Sequence, residues 1–478
     1  MAARPILMFM FACAAITASA GAYASPRSDP TTGRSVFTGA ATPHASSITL
    51  NPAALGIGTI DEVYLSLASV VDSYSVDRRV QDPATGTLTA GDSVGQTELG
   101  LGGMLGVVLH PGTRYAVSFE LRTPPPEIFP GPKDALRYHT LGGRQRDYIA
   151  SIGSTIKITS KVYFGASLSH DNTFLEMKYA RDTAVADGDG PRGIGSDCGG
   201  MPCGFEHPAA TEIYDVNARS GWVATANLKV NIGLLVNVYR DVWIGVAYHT
   251  PPGFNIQTQL DGDMDVTRAP RDGGEILEGG STVYVSYPAS VDVEVRARLP
   301  RMLDLHVGGR WEDLSRFQAY DVRGHDSTFV PNGIPEWTLR PRGMHDSFAL
   351  WGGVEQIDFG QQLRFGGRVG FETSYLDRSR TSAMTIGPAS LTLDLGGQLR
   401  LGGSWSVELA YGVQYFPAVD VESSAYNPQF QLDCIASGYD YSTRACQAVR
   451  DGYAIPTAAG EYGHLQHAMR LGFRYDIN

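Results

Sequence analysis

The chain has no long apolar run after its first two dozen residues, although a membrane-spanning helix needs about 20 apolar residues in succession. It is also poor in charge, with 18% of its 478 residues charged, and a net charge of -12 includes no basic block. The first absence excludes helical membrane spans, and the second leaves nucleic-acid binding without support. A soluble all-β protein and a closed β-barrel in a membrane remain as the two fold classes to separate.

The first 24 residues have the three parts of a secretory signal peptide. Arg4 supplies the positive charge, an apolar run follows at residues 6–16, and residues 22–24 form an A-x-A cleavage site. A first transmembrane helix is the alternative, but the run is much shorter than the about 20 residues that a span requires. We therefore expect residues 1–24 to be a signal peptide that is removed on export.

Cysteine is scarce, and no pair has C-x-x-C spacing. One of the five lies in the leader, which leaves Cys198, Cys203, Cys434 and Cys446 in the mature chain. An even count in an exported protein predicts disulfides, and close spacing favours the pairs Cys198–Cys203 and Cys434–Cys446. A metal site is the alternative, with His207 as the one nearby residue of ligand type. We expect no metal and no cofactor.

Motifs for catalysis are weak. Residues 91–95 match the G-x-S-x-G pattern of hydrolases, but that motif requires a strand before it and a helix after it. Here it lies in a Thr- and Gly-rich stretch that leads into an alternating segment. The acidic turns at 187–190 and 261–265 do not continue into the twelve-residue calcium loop of an EF-hand. The sequence therefore does not predict an enzyme.

The dominant signal is alternation of apolar and polar residues with a period of two, which is typical of β-strands. Several alternating segments exceed ten residues, whereas strands of soluble sandwiches average about 5–6 and strands that cross a bilayer need about 9–11. In the segment 282–299 one face is predicted to consist of Val283, Val285, Tyr287, Val291, Val293, Val295 and Leu299. Strand length therefore favours a transmembrane antiparallel β-barrel whose apolar face meets lipid.

About fourteen strands can be placed in residues 59–478. They are predicted at 60–76, 94–109, 114–123, 146–158, 161–179, 213–238, 242–258, 282–299, 302–322, 344–358, 362–375, 389–401, 404–418 and 462–478. Short turns alternate with long connections, as in outer-membrane barrels. Residues 25–58 do not alternate and are too short to fold alone, so they are either a linker or a plug in the barrel.

The residues just before the first strand resemble a known family. Gly33, Arg34 and the run Asn51, Pro52 and Ala53 are similar to the N-terminal hatch of FadL-type outer-membrane proteins, which include aromatic-hydrocarbon transporters of the TodX kind. The resemblance implies a fourteen-stranded barrel with residues 25–58 as a plug inside it. It also implies an external hydrophobic groove in the long loops, and lateral release of the ligand through a kinked third strand.

Two sets of residues are candidates for ligand handling. Thr123, Pro124, Pro125 and Pro126 end the predicted third strand, and a proline run stops ladder pairing. They form either an ordinary loop or an interrupted wall with a lateral opening. The second set is predicted to face inward and could contact a carboxylate head group, or could pair with acids across a polar lumen. It consists of Arg296, Arg298, Arg364 and Arg368.

The expected function is passive transport of hydrophobic small molecules, most of all long-chain fatty acids, across the outer membrane of a Gram-negative bacterium. Ligand would dock among the connections 180–212 and 259–281 and then reach a pocket beside the plug. Aromatic hydrocarbons are the alternative substrates, and a structural barrel that anchors secreted proteins is the alternative function. We expect a monomer whose other partners are outer-membrane lipid and, during biogenesis, the barrel assembly machinery.

Overall fold

The computed structural model describes residues 36–81, 87–131, 136–184, 204–221, 227–255, 257–300, 303–325, 328–357 and 362–477. The predicted signal peptide, Gly33, Arg34, Cys198 and Cys203 lie outside these ranges. Among the described residues, no helix is long and apolar enough to span a membrane.

The described residues contain twenty β-segments, labelled β1 to β20 in chain order. They are Asp61–Gln81, Leu88–Leu109, Tyr115–Thr123, Glu127–Phe129, Gly142–Lys157, Val162–Asp182, Thr211–Ser220, Leu228–Tyr239, Val242–His249, Thr258–Thr267, Ile276–Val285, Ser290–Leu299, Leu303–Glu312, Ala319–Gly324, Trp337–Pro341, Ser347–Ile357, Leu363–Glu372, Ser390–Gly402, Trp405–Val421 and Gly460–Ile477. Three α-helices, α1 to α3, are Ser47–Leu50, Gln429–Ala436 and Arg444–Arg450. Short 3-10 helices lie at Pro52–Ile57, Pro208–Ala210, Pro252–Asn255, Pro270–Asp272, Leu314–Arg316, Val330–Asn332 and Arg378–Arg380.

The sheet closes on itself because the first and last segments pair. β1 is antiparallel to β20 from Asp61–Ile477 to Arg78–Gly460, and it pairs with β2 on its other edge. Six strands are each divided into two segments (β3 with β4, β7 with β8, β9 with β10, β11 with β12, β13 with β14, β15 with β16). Counting each of them once turns the twenty segments into fourteen strands, so the predicted fourteen-stranded antiparallel barrel is confirmed.

Each division separates two tiers of the wall. We call the strand parts next to the short turns the lower tier and the parts beyond the divisions the upper tier. The divisions follow the segment ends at Thr123, Ser220, His249, Val285, Glu312 and Pro341. Five of them contribute side chains to one cavity, so they lie at a common level of the barrel.

The outer surface of the lower tier is a belt of exposed apolar side chains. Aromatic rings lie at both of its edges, with Trp405 and Tyr475 at 4.7 Å near a short turn and Tyr148 and Phe174 at 5.6 Å near the divisions. Such a belt with aromatic edges is typical of a barrel in a membrane. The exposed residues of the belt include Leu65, Leu67, Leu101, Leu105, Phe119, Leu121, Ile152, Ile156, Leu168, Ile232, Leu234, Val246, Val293, Val295, Val307, Leu350, Val354, Val369, Leu393, Leu395 and Leu409.

The predicted single apolar face of residues 282–299 is wrong. Val293 is 41% exposed on the belt, but Val283 and Val285 are fully buried in the barrel interior, and Tyr287 packs against the same interior cluster. The cause is the division at 286–289, which leaves Val285 and Ser290 both pointing inward and so reverses the alternation. Apolar residues that would have met lipid instead line the inside of the upper tier.

Several predicted connections are strands of the upper tier. β1 extends to Gln81 and β2 begins at Leu88, so these two strands occupy most of the connection expected at 77–93. Residues 91–95 therefore lie within β2 instead of at a strand-to-helix turn. β10 and β11 occupy most of 259–281, and β15 lies within 323–343. These segments were missed because their outward residues, such as Asp261 and Asp263, face water and carry no apolar signal.

The last long connection forms a cap on the upper tier. The predicted Cys434–Cys446 disulfide is confirmed; it joins α2 to α3, with the two Cα atoms 4.7 Å apart. Arg340 donates from Nη2 to the carbonyl oxygens of Tyr138 (2.6 Å) and His139 (2.7 Å). Burial, together with the charge of Arg340, lowers the pKa of His139 to about 3, so its neutral ring donates from Nε2 to the carbonyl of Pro456 at 2.9 Å. Polar bonds of this kind tie the connections to one another.

The reversed alternation can be tested with nitroxide labels on single cysteines at Val283→Cys and Val293→Cys. We expect the label at 293 to collide with oxygen dissolved in lipid, because that side chain lies on the belt. The label at 283 should be shielded from oxygen, because its side chain is buried inside. Electron paramagnetic resonance measures both accessibilities, and the unsubstituted protein gives the background. Equal oxygen accessibility at the two positions would contradict the two-tier wall.

Candidate functional site

Residues 36–58 lie inside the lower tier and fill its lumen. Asn51 holds this segment in shape, because its Oδ1 accepts from Ala53 N at 3.0 Å and its Nδ2 donates to Ala40 O at 2.6 Å. The same Nδ2 donates to the wall at Leu234 O, at 3.2 Å. Pro52 begins the following 3-10 helix, where its missing N–H costs no hydrogen bond. The motif of Asn51, Pro52 and Ala53 thus folds the segment and binds it to β8.

The wall approaches this segment through glycines. Gly165, Gly233 and Gly245 lie at inward-facing positions of β6, β8 and β9, three neighbouring strands. A Cβ atom at these positions would overlap the backbone of Ala53, the side chain of Asn51 and the backbone of Ala40, respectively. Glycine is therefore required for the backbones to come this close. The sequence analysis missed these residues, although inward-facing glycines on three successive strands were a readable signal.

Buried carboxylates bind the backbone N–H groups of the same segment. Glu355 accepts from Phe37 N at 2.7 Å, and Glu294 accepts from Ala40 N at 3.1 Å. His306 lies between these two acids, 3.1 Å from Glu294 and 3.4 Å from Glu355. Because all three wall side chains are fully buried, the network holds residues 36–58 by hydrogen bonds that water does not reach.

The four candidate head-group arginines belong to this level of the barrel. Arg296 and Arg298 pair with Asp304 at 2.6 and 2.8 Å. Arg364 and Arg368 pair with Glu355, and Arg368 lies 2.8 Å from it. Pairing with acids of the lumen was the alternative interpretation of these arginines, and this is the arrangement in the structure. Arg296, Arg298 and Arg364 line another cavity, of about 280 Å³. None of the four lines the cavity described next.

A cavity of about 260 Å³ lies directly above residues 36–58, at the level of the divisions in the wall. Its floor includes Thr49 and Leu50 of the lumen-filling segment, and its side includes Pro124 and Pro125. Its charged lining consists of five acids (Glu127, Asp147, Asp171, Glu312, Glu372) and four bases (Arg122, Lys229, Arg310, Arg342). The sequence analysis named none of these nine residues, although Asp147 and Asp171 lie within the strands that it placed at 146–158 and 161–179.

The cavity lining contains both apolar and charged side chains. Leu314, Phe317, Met344 and Tyr375 are apolar and belong to the buried cluster that fills the upper tier. Most bases of the lining are already paired with acids. Arg342 lies 2.8 Å from Glu127, and Arg310 lies 2.6 Å from Glu312. The site is therefore amphipathic, with a packed apolar cluster above it and charged side chains in its wall.

The wall beside the cavity lacks a continuous ladder at the proline segment, defined as Pro124, Pro125 and Pro126. The β2–β3 ladder ends at the pair Gly103–Thr123, and β4 is paired with β5 only, within the described ranges. The proline segment crosses close to β2, since a Cβ atom on Gly100 would lie 3.3 Å from Pro125 Cβ. The β2–β3 ladder therefore ends next to the cavity, and a lateral opening at this place stays a prediction.

The chain is similar in fold to several proteins of known structure. It has the fold of a Pseudomonas aeruginosa FadL homologue, with a TM-score of 0.69 at 13% identity over 97% of this chain and 99% of the other. It is also similar to the Pseudomonas putida toluene transporter TodX, with a TM-score of 0.62 at 14% identity over 96% of this chain and 100% of the other. The Ralstonia pickettii toluene transporter TbuX gives a TM-score of 0.59 at 16% identity over 94% of this chain and 98% of the other.

No protein-family model matches the chain, and no curated protein matches it significantly. The barrel is thus defined as FadL-like by its fold, while its sequence has diverged from all three of these proteins. All three structures are described as a FadL homologue or as transporters.

The close approach of wall and lumen segment can be tested with Gly233→Ala. The added methyl group overlaps Asn51, so we expect a loss of about 1–3 kcal/mol in stability, the usual cost of overpacking. Proteolysis should also cleave residues 36–58 faster than in the unsubstituted protein. The matched control is Gly352→Ala, because a Cβ there lies 3.8 Å from its nearest neighbour. Equal unfolding midpoints and cleavage rates for the two variants would refute the contact.

Proposed function

We propose that this protein is an outer-membrane channel for passive movement of small hydrophobic molecules, with residues 25–58 as its plug. Ligand would pass from the outside through the apolar interior of the upper tier to the cavity of about 260 Å³. It would leave sideways into the membrane past the proline segment. The observation that carries the proposal is that Pro124 and Pro125 line the cavity, so the lumen-filling segment, the apolar interior and the end of the β2–β3 ladder border one cavity.

Transport of a hydrophobic molecule depends on keeping its apolar surface out of water. A hydrophobic molecule gains about 25 cal/mol for each Å² of apolar surface that leaves water, so an open aqueous pore gives it no advantage. Capture in an apolar interior followed by exit into lipid keeps that surface dry throughout. The buried cluster of the upper tier, which includes Val283, Val285 and Phe317, supplies such an interior. No energy source is required, because the ligand moves from one apolar environment to another.

The size of the cavity bears on the substrate. A protein cavity of about 150 Å³ can hold benzene, so this one accommodates a substituted single ring. The sequence analysis favoured a long-chain fatty acid, whose acyl chain would have to extend from the cavity into the upper tier. We propose a ring-sized hydrophobic molecule as the first candidate and a long-chain fatty acid as the second. Two of the structures with the same fold are described as toluene transporters, which agrees with this order.

The alternative function, a structural barrel that anchors secreted proteins, would favour a polar and sealed lumen. The lower tier fits that description, because buried ion pairs and residues 36–58 fill it. The upper tier does not, because its interior is apolar and joins an open cavity. This difference between the tiers supports transport over anchoring. The monomeric state, and contact with the barrel assembly machinery, remain predictions.

Lateral exit can be tested by locking the proline segment to β2 with Gly100→Cys and Pro125→Cys. The expected Cβ separation of 3.3 Å is close to the about 3.5–4.5 Å of native disulfides. We expect oxidation to reduce uptake of toluene or of a fluorescent fatty acid to the level of cells without the protein, and reduction to restore it. Uptake by whole cells measures this.

The control for this experiment is the pair Ser73→Cys and Thr97→Cys. Their hydroxyl groups lie 3.1 Å apart on β1 and β2, away from the proline segment, so a disulfide there leaves the exit unchanged. If the locked proline segment transports at the rate of the control, the ligand does not leave by this route.

A further inference from the structure

We propose that the cavity above the plug selects an amphipathic ligand whose head group donates hydrogen bonds and carries no negative charge. The inference rests on the proposed function and specifies the ligand of the same site. Its head group would be a hydroxyl or an ammonium, both of which supply donors. The apolar part of the ligand would lie against Leu314, Phe317 and Met344.

The charged side chains around the cavity disfavour an anionic ligand. The lining holds five acids and four bases, and two further acids lie immediately behind it, since Glu120 lies 3.5 Å from Arg122 and Asp292 lies 3.0 Å from Arg310. His249 also lines the cavity, 2.9 Å from Asp292. The seven acids outnumber the four bases even when His249 is counted as a fifth base. A carboxylate entering this environment would meet charges of its own sign at low local dielectric, where repulsion is strong. The lining disfavours an anion and favours a neutral or cationic donor.

Asp147 and Asp171 place carboxylate groups at the cavity. They face inward on the adjacent strands β5 and β6, and both line the cavity. Asp147 accepts from the hydroxyl of Thr173 at 2.7 Å. The side chain of Asp171 is 12% exposed, and its Oδ2 is 3.8 Å from Lys229 Nζ, beyond hydrogen-bond distance. Its Oδ1 has no hydrogen-bond partner among the described residues.

Such an arrangement is incomplete without a donor. A buried carboxylate oxygen without a partner is costly, and hydrogen bonds to charged groups are the stronger ones. A hydroxyl or ammonium beside Asp171 would donate a hydrogen bond to its carboxylate. A pure hydrocarbon would displace water from the carboxylate and form no hydrogen bond in its place. Leu314, Phe317 and Met344 of the same lining take the remainder of the ligand. The cavity thus holds an amphiphile with its head group beside Asp147 and Asp171.

The test uses four probes with one ring and one varied substituent: benzylamine, benzyl alcohol, toluene and benzoate. Their binding to the full-length protein in detergent is measured by calorimetry. We expect benzylamine and benzyl alcohol to bind at least about tenfold more tightly than toluene and benzoate, the ratio that one charge-assisted hydrogen bond supplies. In Asp171→Asn this preference should largely disappear. The matched control is Asp433→Asn, an exposed residue of α2.

The outcomes separate the two proposals. If toluene or benzoate binds as tightly as benzylamine, the head-group inference is overturned while transport of hydrophobic molecules stands. If none of the four probes binds, the cavity is not a ligand site and the proposed function fails with the inference. The ranking in the unsubstituted protein decides between these results even if Asp171→Asn does not fold.

Discussion

The constraint on which this structure depends is that a backbone N–H or C=O group has no water to bind inside a membrane. Each unpaired group there costs several kcal/mol, so strands that cross lipid must close into a ring. Pairing of β1 with β20 completes that ring. The same constraint makes the proline segment unusual, because prolines carry no N–H. Where the ladder between β2 and β3 stops, the next three residues are prolines and add no unpaired N–H donor. The free-energy cost of interrupting the wall beside the cavity is lower for that reason.

A closed ring of fourteen strands has a lumen too wide for the wall's own side chains to fill, and the lower tier is closed by a second element. Residues 36–58 approach Gly165, Gly233 and Gly245, where the wall has no side chains. Their N–H groups donate to Glu294 and Glu355, and these carboxylates are contacted in turn by His306 and Arg368. Removing one member of such a buried network leaves the others unsatisfied, so the segment is held cooperatively.

The sequence predicted strands whose outer side meets lipid better than strands whose outer side meets water. Alternation is visible where one side meets lipid, and the lower-tier strands and their number were predictable for that reason. It was misleading at residues 282–299, because the division at 286–289 reverses the inward side without changing the composition. Upper-tier strands such as β10 meet water on one side, so they carry no lipid signal. The Cys434–Cys446 pair was predictable because short spacing limits its partners, whereas the ion pairs of Arg296 and Arg364 depend on lateral contacts between strands.

The reversal of alternation also explains how one barrel has two different interiors. In the lower tier every second residue must be apolar for the lipid, so the interior receives the polar ones, such as Glu294 and Arg296. In the upper tier there is no lipid to satisfy, so apolar residues such as Val283 and Val285 can face inward. A change of interior polarity therefore requires a break in the strands, and the breaks lie where the two interiors meet. An amphipathic cavity at that level is a direct consequence of the wall's construction, and it forms where the proline segment has already interrupted the ladder.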